Sequence, residues 1–382
     1  MGITERKRSE VNGKQTRQAN FELMRLVAMF LIVAYHCVLH SEMKGGMPLV
    51  FAPFSGNQVF SFAVGMWGLT GVGCFFLLTA YFQTEKARVR TKRLLFLLLQ
   101  TVFWAMVTEW VTITKIKGKA FGVAEMVNAL LSPFIGNYWF IPAYIGVTLL
   151  SPFLNRIIDG LGENTYRKLM IVFTVISPLY SSLGDTRQTL CDLSIAVYYY
   201  LLWGYLKRHP DNWLERHRYG VFFGLALLSV GVAAGSSYFA TRTGSEPVGY
   251  FTLCGRASFL QVVMAAALFY IFLHMKTGSI GWINIAAKTT LGIYLIHENG
   301  VLYPYLWNVV FRIGRYFDGS PYYPAYLLKC VCLTFFGSLA ADLLRRCLLE
   351  IPLERITKPL DPFFGRIDRW LENTAETPAN NS

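Results

Sequence analysis

The sequence is poor in charge. Only 15% of its 382 residues are Asp, Glu, Lys or Arg, and 54% are hydrophobic; ordinary soluble chains carry about 25% charge. Mean hydropathy is +0.38. A soluble domain is excluded on these grounds. Carboxylates are scarcer than cations, 23 against 36. In a membrane chain the excess cations gather on cytoplasmic loops facing anionic lipid, so the net charge of +13 does not indicate nucleic-acid binding. The seven cysteines are scattered and no C-x-x-C pair occurs, which argues against a disulfide framework; Cys330 and Cys332 form a lone C-x-C. No internal repeat is present, which argues against inverted-repeat transporters. No ten-residue apolar alternation is present, which argues against a membrane β-barrel. The basic stretch 1–19 leads into an apolar run without a small-x-small cleavage site, so an uncleaved first helix is expected.

What the sequence does have is long apolar runs. Hydropathy predicts ten spans, about 21–41, 58–82, 94–114, 137–155, 168–183, 191–206, 219–240, 256–275, 289–309 and 325–349. The expected fold is an all-α polytopic membrane protein. It divides into a cytoplasmic basic tail (1–19), a transmembrane region (20–360) and a polar C-terminal tail (361–382). With both termini inside, the inner segments hold 25 Lys and Arg and the outer segments nine, which supports N-in and C-in. The Lys115–Lys119 cluster falls on the outer side, and is compatible with a re-entrant feature formed by 94–114 and the following stretch FGVAEMVNALLSPFI.

The first span, NFELMRLVAMFLIVAYHCVLHS, carries Glu22, Arg25, His36 and His40. Ionisable groups inside a membrane helix cost about 2.5–3.5 kcal/mol each on insertion scales and mark functional sites by default. Arg25 and His36 are eleven residues apart, about three turns, which places them on one face about 16 Å apart along the axis. Glu22 can pair with Arg25 on that face. The stripe reads as the two ends of an elongated site. It is equally compatible with an arginine snorkelling to headgroups and a histidine bonded to a neighbouring helix.

The second span, GMWGLTGVGCFFLLTAYF, is thinned by Gly65, Gly68, Gly71 and Gly73, best read as tight helix packing. The basic run Arg88, Arg90, Lys92 and Arg93 follows. It suits an anionic lipid surface, and its guanidinium groups equally suit phosphate. In the fourth span, Asn137, Tyr138, Trp139 and Tyr144 suit an outer aromatic belt. Pro142 and Pro152 are expected to kink that helix and free carbonyls. The ninth span, TTLGIYLIHENG, places His297 and Glu298 about ten residues into a helix. Glu298 or Asn299 could orient that imidazole as a general base, and a polar helix contact explains it equally well.

Taken in order, these stretches resemble the membrane acyltransferase-3 family of surface-polysaccharide O-acyltransferases. Arg25 and His36 fit its R-x10-H signature. GVGCFFLLTAYF resembles its phenylalanine-rich block, with Thr79-Ala80 where the family usually has Ser-Gly. Arg90-Thr91-Lys92-Arg93 looks like its R-x-x-R, NYWFIPAYIGV like its W-F-aliphatic-Tyr segment, and LGIYLIH like its late block. The resemblance covers about residues 15–360. It implies transfer of an acetyl group from cytoplasmic acetyl-CoA to a carbohydrate hydroxyl. Arg25, Arg90 and Arg93 would hold the coenzyme phosphates and His36 would act as general base. His297 would be a second proton carrier or an oxyanion donor. No metal is expected, since His36 and His40 lack the intervening glutamate of H-E-x-x-H. The implied partners are acyl-CoA, a carbohydrate acceptor and the bilayer, in the plasma membrane of a bacterium. The other functional class is a transporter or flippase for a lipid-linked sugar or small solute, in which buried His and Arg form a path. A scaffold without activity is a third.

Overall fold

The computed structural model describes residues 19–43, 46–86, 89–135, 138–180, 182, 192–245, 258–278 and 280–372. Among these residues every regular element is helical, and Glu42 and Pro48 form an isolated β-bridge. The main helices are α1 (Ala19–Leu39), α2 (Gly56–Gly65), α3 (Gly68–Lys86), α4 (Thr91–Val111), α5 (Val123–Leu131), α6 (Phe140–Gly160) and α7 (Glu163–Thr174). They continue with α8 (Asp192–Arg208), α9 (Arg218–Thr243), α10 (Phe259–Leu273), α11 (Thr290–His297), α12 (Tyr323–Arg345) and α13 (Asp361–Glu372).

Among the described residues, six stretches are long and apolar enough to cross a bilayer: Ala19–Leu39, Gly56–Glu85, Thr91–Ile116, Phe140–Gly160, Arg218–Thr243 and Tyr323–Ile356. The ten expected spans are therefore not ten long helices. Helix α10 is apolar but has 15 residues, about 22 Å of rise against about 30 Å of hydrocarbon. Helix α8 has 17 residues. Helix α7 opens on the polar run ENTYRK and continues through a wider turn to Leu179. The largest departure is at 289–309. Helix α11 stops at His297, with Glu298 as its C-cap. The Asn299 carboxamide then accepts from the Val301 and Leu302 backbone N–H groups and starts a new turn. His297 and Glu298 thus lie at a helix end, not within a helix. The expected polar tail begins with α13, and residues after 372 lie outside the described ones.

Helix α1 is the axis of the bundle and packs on α2, α3, α10, α11 and α12. It contributes to both apolar cores. One surrounds Ile32, Val33 and Cys37 with Tyr138, Ile293, Trp307 and Cys330. The other surrounds Phe21, Met24 and Ala28 with Phe76, Tyr81, Tyr199 and Phe269. The glycines of the second span make the close approach possible, as the packing reading holds. A Cβ at Gly71 would lie 2.5 Å from the Ala28 carbonyl oxygen, and one at Gly65 would lie 2.6 Å from Val38. At Gly68 it would strike Tyr35, and at Gly73 it would meet Tyr199 and Ala265.

Pro152 sits inside α6, where it has no N–H for the Thr148 carbonyl. The Ser151 hydroxyl donates to that carbonyl instead, at 2.8 Å. Thr79 turns its hydroxyl back to the Phe75 carbonyl at 2.9 Å, while Ala80 is fully buried.

Gly71→Leu is expected to lower stability by about 1–3 kcal/mol, the usual penalty of overpacking, because the obstacle is backbone. Gly224→Leu, where nothing lies within 4 Å, is the control. Thermal unfolding of the detergent-solubilised proteins, with recovery of monodisperse material, measures the difference.

Candidate active site

Two helices bring the candidate groups together. His36 lies in the last turn of α1 and is about 6% exposed; His297 ends α11 and is fully buried. His36 Nδ1 lies 2.9 Å from His297 Nε2 and 3.0 Å from Glu298 Oε2. His40 Nε2 lies 3.1 Å from the same Glu298 oxygen, and the His40 ring stacks on Tyr303 with centroids 3.9 Å apart. Two imidazoles thus converge on one carboxylate.

The tautomers follow from the partners. His297 Nδ1 lies 2.6 Å from the Ile293 carbonyl, which can only accept, so Nδ1 carries the proton. Neutral His297 then presents a lone pair at Nε2. His36 Nδ1 must donate, shared between that lone pair and the Glu298 carboxylate. His40 Nε2 donates to Glu298 as well. Neutral His36 is left with its lone pair at Nε2, and that atom makes no hydrogen bond to a described residue. A carboxylate behind Nδ1–H and a free Nε2 are what a general base requires.

Each member is held by neighbours. Past the end of α1, the His40 carbonyl accepts from the Asn308 side chain at 3.0 Å, and the Asn308 oxygen accepts from the Glu42 N–H at 2.9 Å. At the start of α11, Gly292 lies flat against the Asp342 carboxylate, and any side chain there would collide with it. Asp342 is buried and accepts from Trp104 Nε1 at 2.7 Å, Gln100 Nε2 at 3.1 Å and Arg345 Nε at 2.6 Å. Near the end of α11, the Tyr138 hydroxyl donates to the Leu295 carbonyl at 2.9 Å and accepts from Asn299 Nδ2 at 3.0 Å. Tyr138 is fully buried, so it is a strut of the histidine turn and not part of an outer aromatic belt. Asn137 lies outside the described residues.

The arginines occupy another level. Arg25 Nη1 donates to both Glu22 oxygens, at 2.9 and 3.0 Å, as the spacing predicts. The Arg25 guanidinium also lies 5.9 Å from the centre of the Phe82 ring in the last turns of α3. It is eleven residues from His36 on a continuous helix, about 16 Å along the axis. Arg90 precedes α4 and Arg93 lies in its first turn, both exposed. The structure therefore unites His36 with His297, and places Arg25, Arg90 and Arg93 away from them.

Residues 18–342 match the acyltransferase-3 family model, described as an acyltransferase domain. The chain belongs to that family. No curated protein and no solved structure matches it. The matched segment of this acyltransferase contains both histidines, Glu298 and the Asp342 clamp. Helix α13 lies beyond it.

Spacing alone could not show the acyltransferase's donor set. His36, His297 and Glu298 present ligand atoms within 4.8 Å of one another, a two-histidine, one-carboxylate group of the kind that holds a metal ion. His36 and His297 are 261 residues apart, beyond any linear motif. Glu109 was also missed. It is buried in α4, with one carboxylate oxygen 3.3 Å from Asn128 Nδ2 and the other without a hydrogen-bond partner. Its signal was available, as a lone carboxylate in the apolar run WAMVTEWV.

Tyr138→Phe removes the hydroxyl that ties Leu295 to Asn299. Loss of a buried hydrogen bond that leaves a partner unsatisfied costs about 1–3 kcal/mol. The variant is expected to unfold at lower temperature and to expose the 295–302 turn. Hydrogen exchange of peptides covering that turn, compared with wild type, measures the effect.

Proposed function

We propose that this acyltransferase moves an acyl group, in the simplest case acetyl, from cytoplasmic acyl-CoA to a hydroxyl of envelope carbohydrate. The observation that carries the reading is the contact of His36 Nδ1 with Glu298 and His297 at 3.0 and 2.9 Å. It turns the His36 Nε2 lone pair away from the cluster and toward an incoming hydroxyl. The acceptor O–H proton passes to His36 Nε2 as the oxygen attacks the thioester carbonyl. The new C–O bond forms, the C–S bond breaks, and the leaving thiolate takes the proton back from the imidazolium. Glu298 stabilises that imidazolium through Nδ1–H, as a buried carboxylate does behind a catalytic histidine. His297 holds the ring through the same hydrogen. Positioned proton transfer of this kind contributes about 10²–10⁴-fold.

The other end of the site is cationic. Arg25, Arg90 and Arg93 take the coenzyme phosphates at the cytoplasmic face, since guanidinium groups match phosphate oxygens in pairs. The separation of about 16 Å between Arg25 and His36 is bridged by the pantetheine arm, which carries the thioester inward. The loop charges support N-in and C-in in the plasma membrane, with His36 past the bilayer midplane. Ten crossings are then made by the six long helices together with four shorter or broken ones, 163–179, 192–208, 259–273 and 281–310.

Labelled acetyl transfer from acetyl-CoA to envelope carbohydrate, in membranes with matched expression, tests the reading. His36→Ala is expected to lose roughly 10²–10⁴-fold in kcat. Glu298→Gln is expected to fall between it and wild type, because an amide still accepts from His36 but does not offset the imidazolium charge. Arg25→Ala is expected to raise the KM for acetyl-CoA and leave kcat nearly unchanged. If His36→Ala labels as well as wild type, His36 is not the base.

A further inference from the structure

Helix α13 lies beyond the residues that match the family model, yet it is docked on the segment assigned above to the acyl donor. It packs on α4 and α6. Its half-buried positions are Phe364, Gly365, Ile367, Asp368, Leu371 and Glu372, spaced for one helix face. The opposite face exposes Phe363 and Trp370, with Arg366 between them. Aromatic residues beside arginine on an outer helix face suit the lipid interface.

The polar contacts are specific. Asp368 Oδ1 accepts from the Thr91 backbone N–H at 2.9 Å and from the Thr91 hydroxyl at 2.6 Å. Thr91 is the first residue of α4, where the backbone N–H groups have no partner within the helix. Position 90, where an N-cap side chain would ordinarily serve, is held by Arg90, which makes no side-chain cap bond. Asp368 therefore supplies from α13 the acceptor that the sequence before α4 lacks. Lys92 adds a second tie, to the Thr357 carbonyl at 3.1 Å and to Asp361. Beside the Asp368 tie an open cleft is lined by Val89, Arg90, Asp368, Arg369 and Glu372.

We propose that α13 is a brace for the acyl-donor site, and that Asp368 is a positioning residue which caps α4 through Thr91 and so holds Arg90 and Arg93 in register. The inference rests on the assignment of those arginines to acyl-CoA phosphates. Arg90 and Arg93 flank the capped turn, and their backbones are joined by the Arg93 N–H to Arg90 carbonyl bond of 2.9 Å. Fraying of that turn spreads the two guanidinium groups and weakens the grip on phosphate. The chemistry at His36 is not touched.

The test compares Asp368→Ala, Asp368→Asn and Arg90→Ala in the full chain, by acetyl-CoA kinetics and by hydrogen exchange over 90–96. Asn caps helices as well as Asp does, whereas Ala does not. Asp368→Ala is expected to raise the KM for acetyl-CoA roughly fivefold, the equivalent of a cap worth about 1 kcal/mol. It should leave kcat unchanged and speed exchange at the start of α4. Asp368→Asn is expected to match wild type in all three. An unchanged or lowered KM in Asp368→Ala overturns the brace, as does an Asp368→Asn variant as impaired as Asp368→Ala. If Arg90→Ala raises the KM while Asp368→Ala does not, the brace fails and the donor site stands. If Arg90→Ala also leaves the KM unchanged, the donor assignment at Arg90 falls with it.

Discussion

The candidate site depends on one long-range contact, the approach of His36 to Glu298 and His297. A carboxylate taken out of water costs several kcal/mol unless its lone pairs are matched by donors. Glu298 meets that condition with two imidazole N–H groups, those of His36 and His40, on one oxygen. The dependence runs both ways. Without Glu298, the His36 and His40 N–H groups lose the oxygen they share. Without α1, the carboxylate is buried unpaired. The site is stable only when α1 and α11 are held at a fixed separation.

That separation is set from opposite sides. On one side, the glycines of α2 and α3 let α1 settle until backbone meets backbone at Gly71 and Ala28. This contact fixes the height of His36 as well as its direction, because helix rise then ties it to Arg25. On the other side, α11 is short and could not hold itself, since isolated helices below about 12–15 residues are marginal. It packs at its start against the Asp342 side chain through Gly292, and near its end it is bonded by Tyr138. Asp342 is itself neutralised by Arg345 and two neutral donors from α4. Buried polar groups thus do for α11 what apolar contact does for α1. Near the end of α11 the carbonyls lack partners within the helix, and the Tyr138 hydroxyl supplies a donor to one of them.

Much of this was legible in the residues, and the limits are physical. The Arg25–His36 stripe and the Glu22–Arg25 pair follow from local helix geometry, which spacing encodes directly. The glycines announced close packing for the same reason. The end of α11 at His297 was not visible, because LGIYLIHENGVLY is apolar on both sides of the break and hydropathy averages across it. Tyr138 looked like an interface residue because its type suits both places. Only its partners 157 and 161 residues away decide between them. The meeting of His36 with Glu298 is legible in neither segment alone, although each offered an ionisable residue at an unfavourable depth. Helix α13 was obscured by its polar composition, although Phe364, Ile367, Asp368 and Leu371 already carried the helical period.

The pairing of Glu22 with Arg25 bears on how a cation can be both neutralised in a membrane helix and available to a ligand. Glu22 engages a single guanidinium nitrogen, Nη1, with both of its oxygens. A side-on carboxylate would have used two nitrogens and closed the fork. The observed arrangement leaves the Nε and Nη2 edge for a second anion, in the paired geometry that phosphate prefers. The Phe82 ring, 5.9 Å from the guanidinium carbon, limits how far the side chain can swing. A lysine in this position would keep the charge and lose the second edge. An arginine at this end of the α1 stripe can therefore hold Glu22 through one nitrogen and keep a second edge, because its cation is planar.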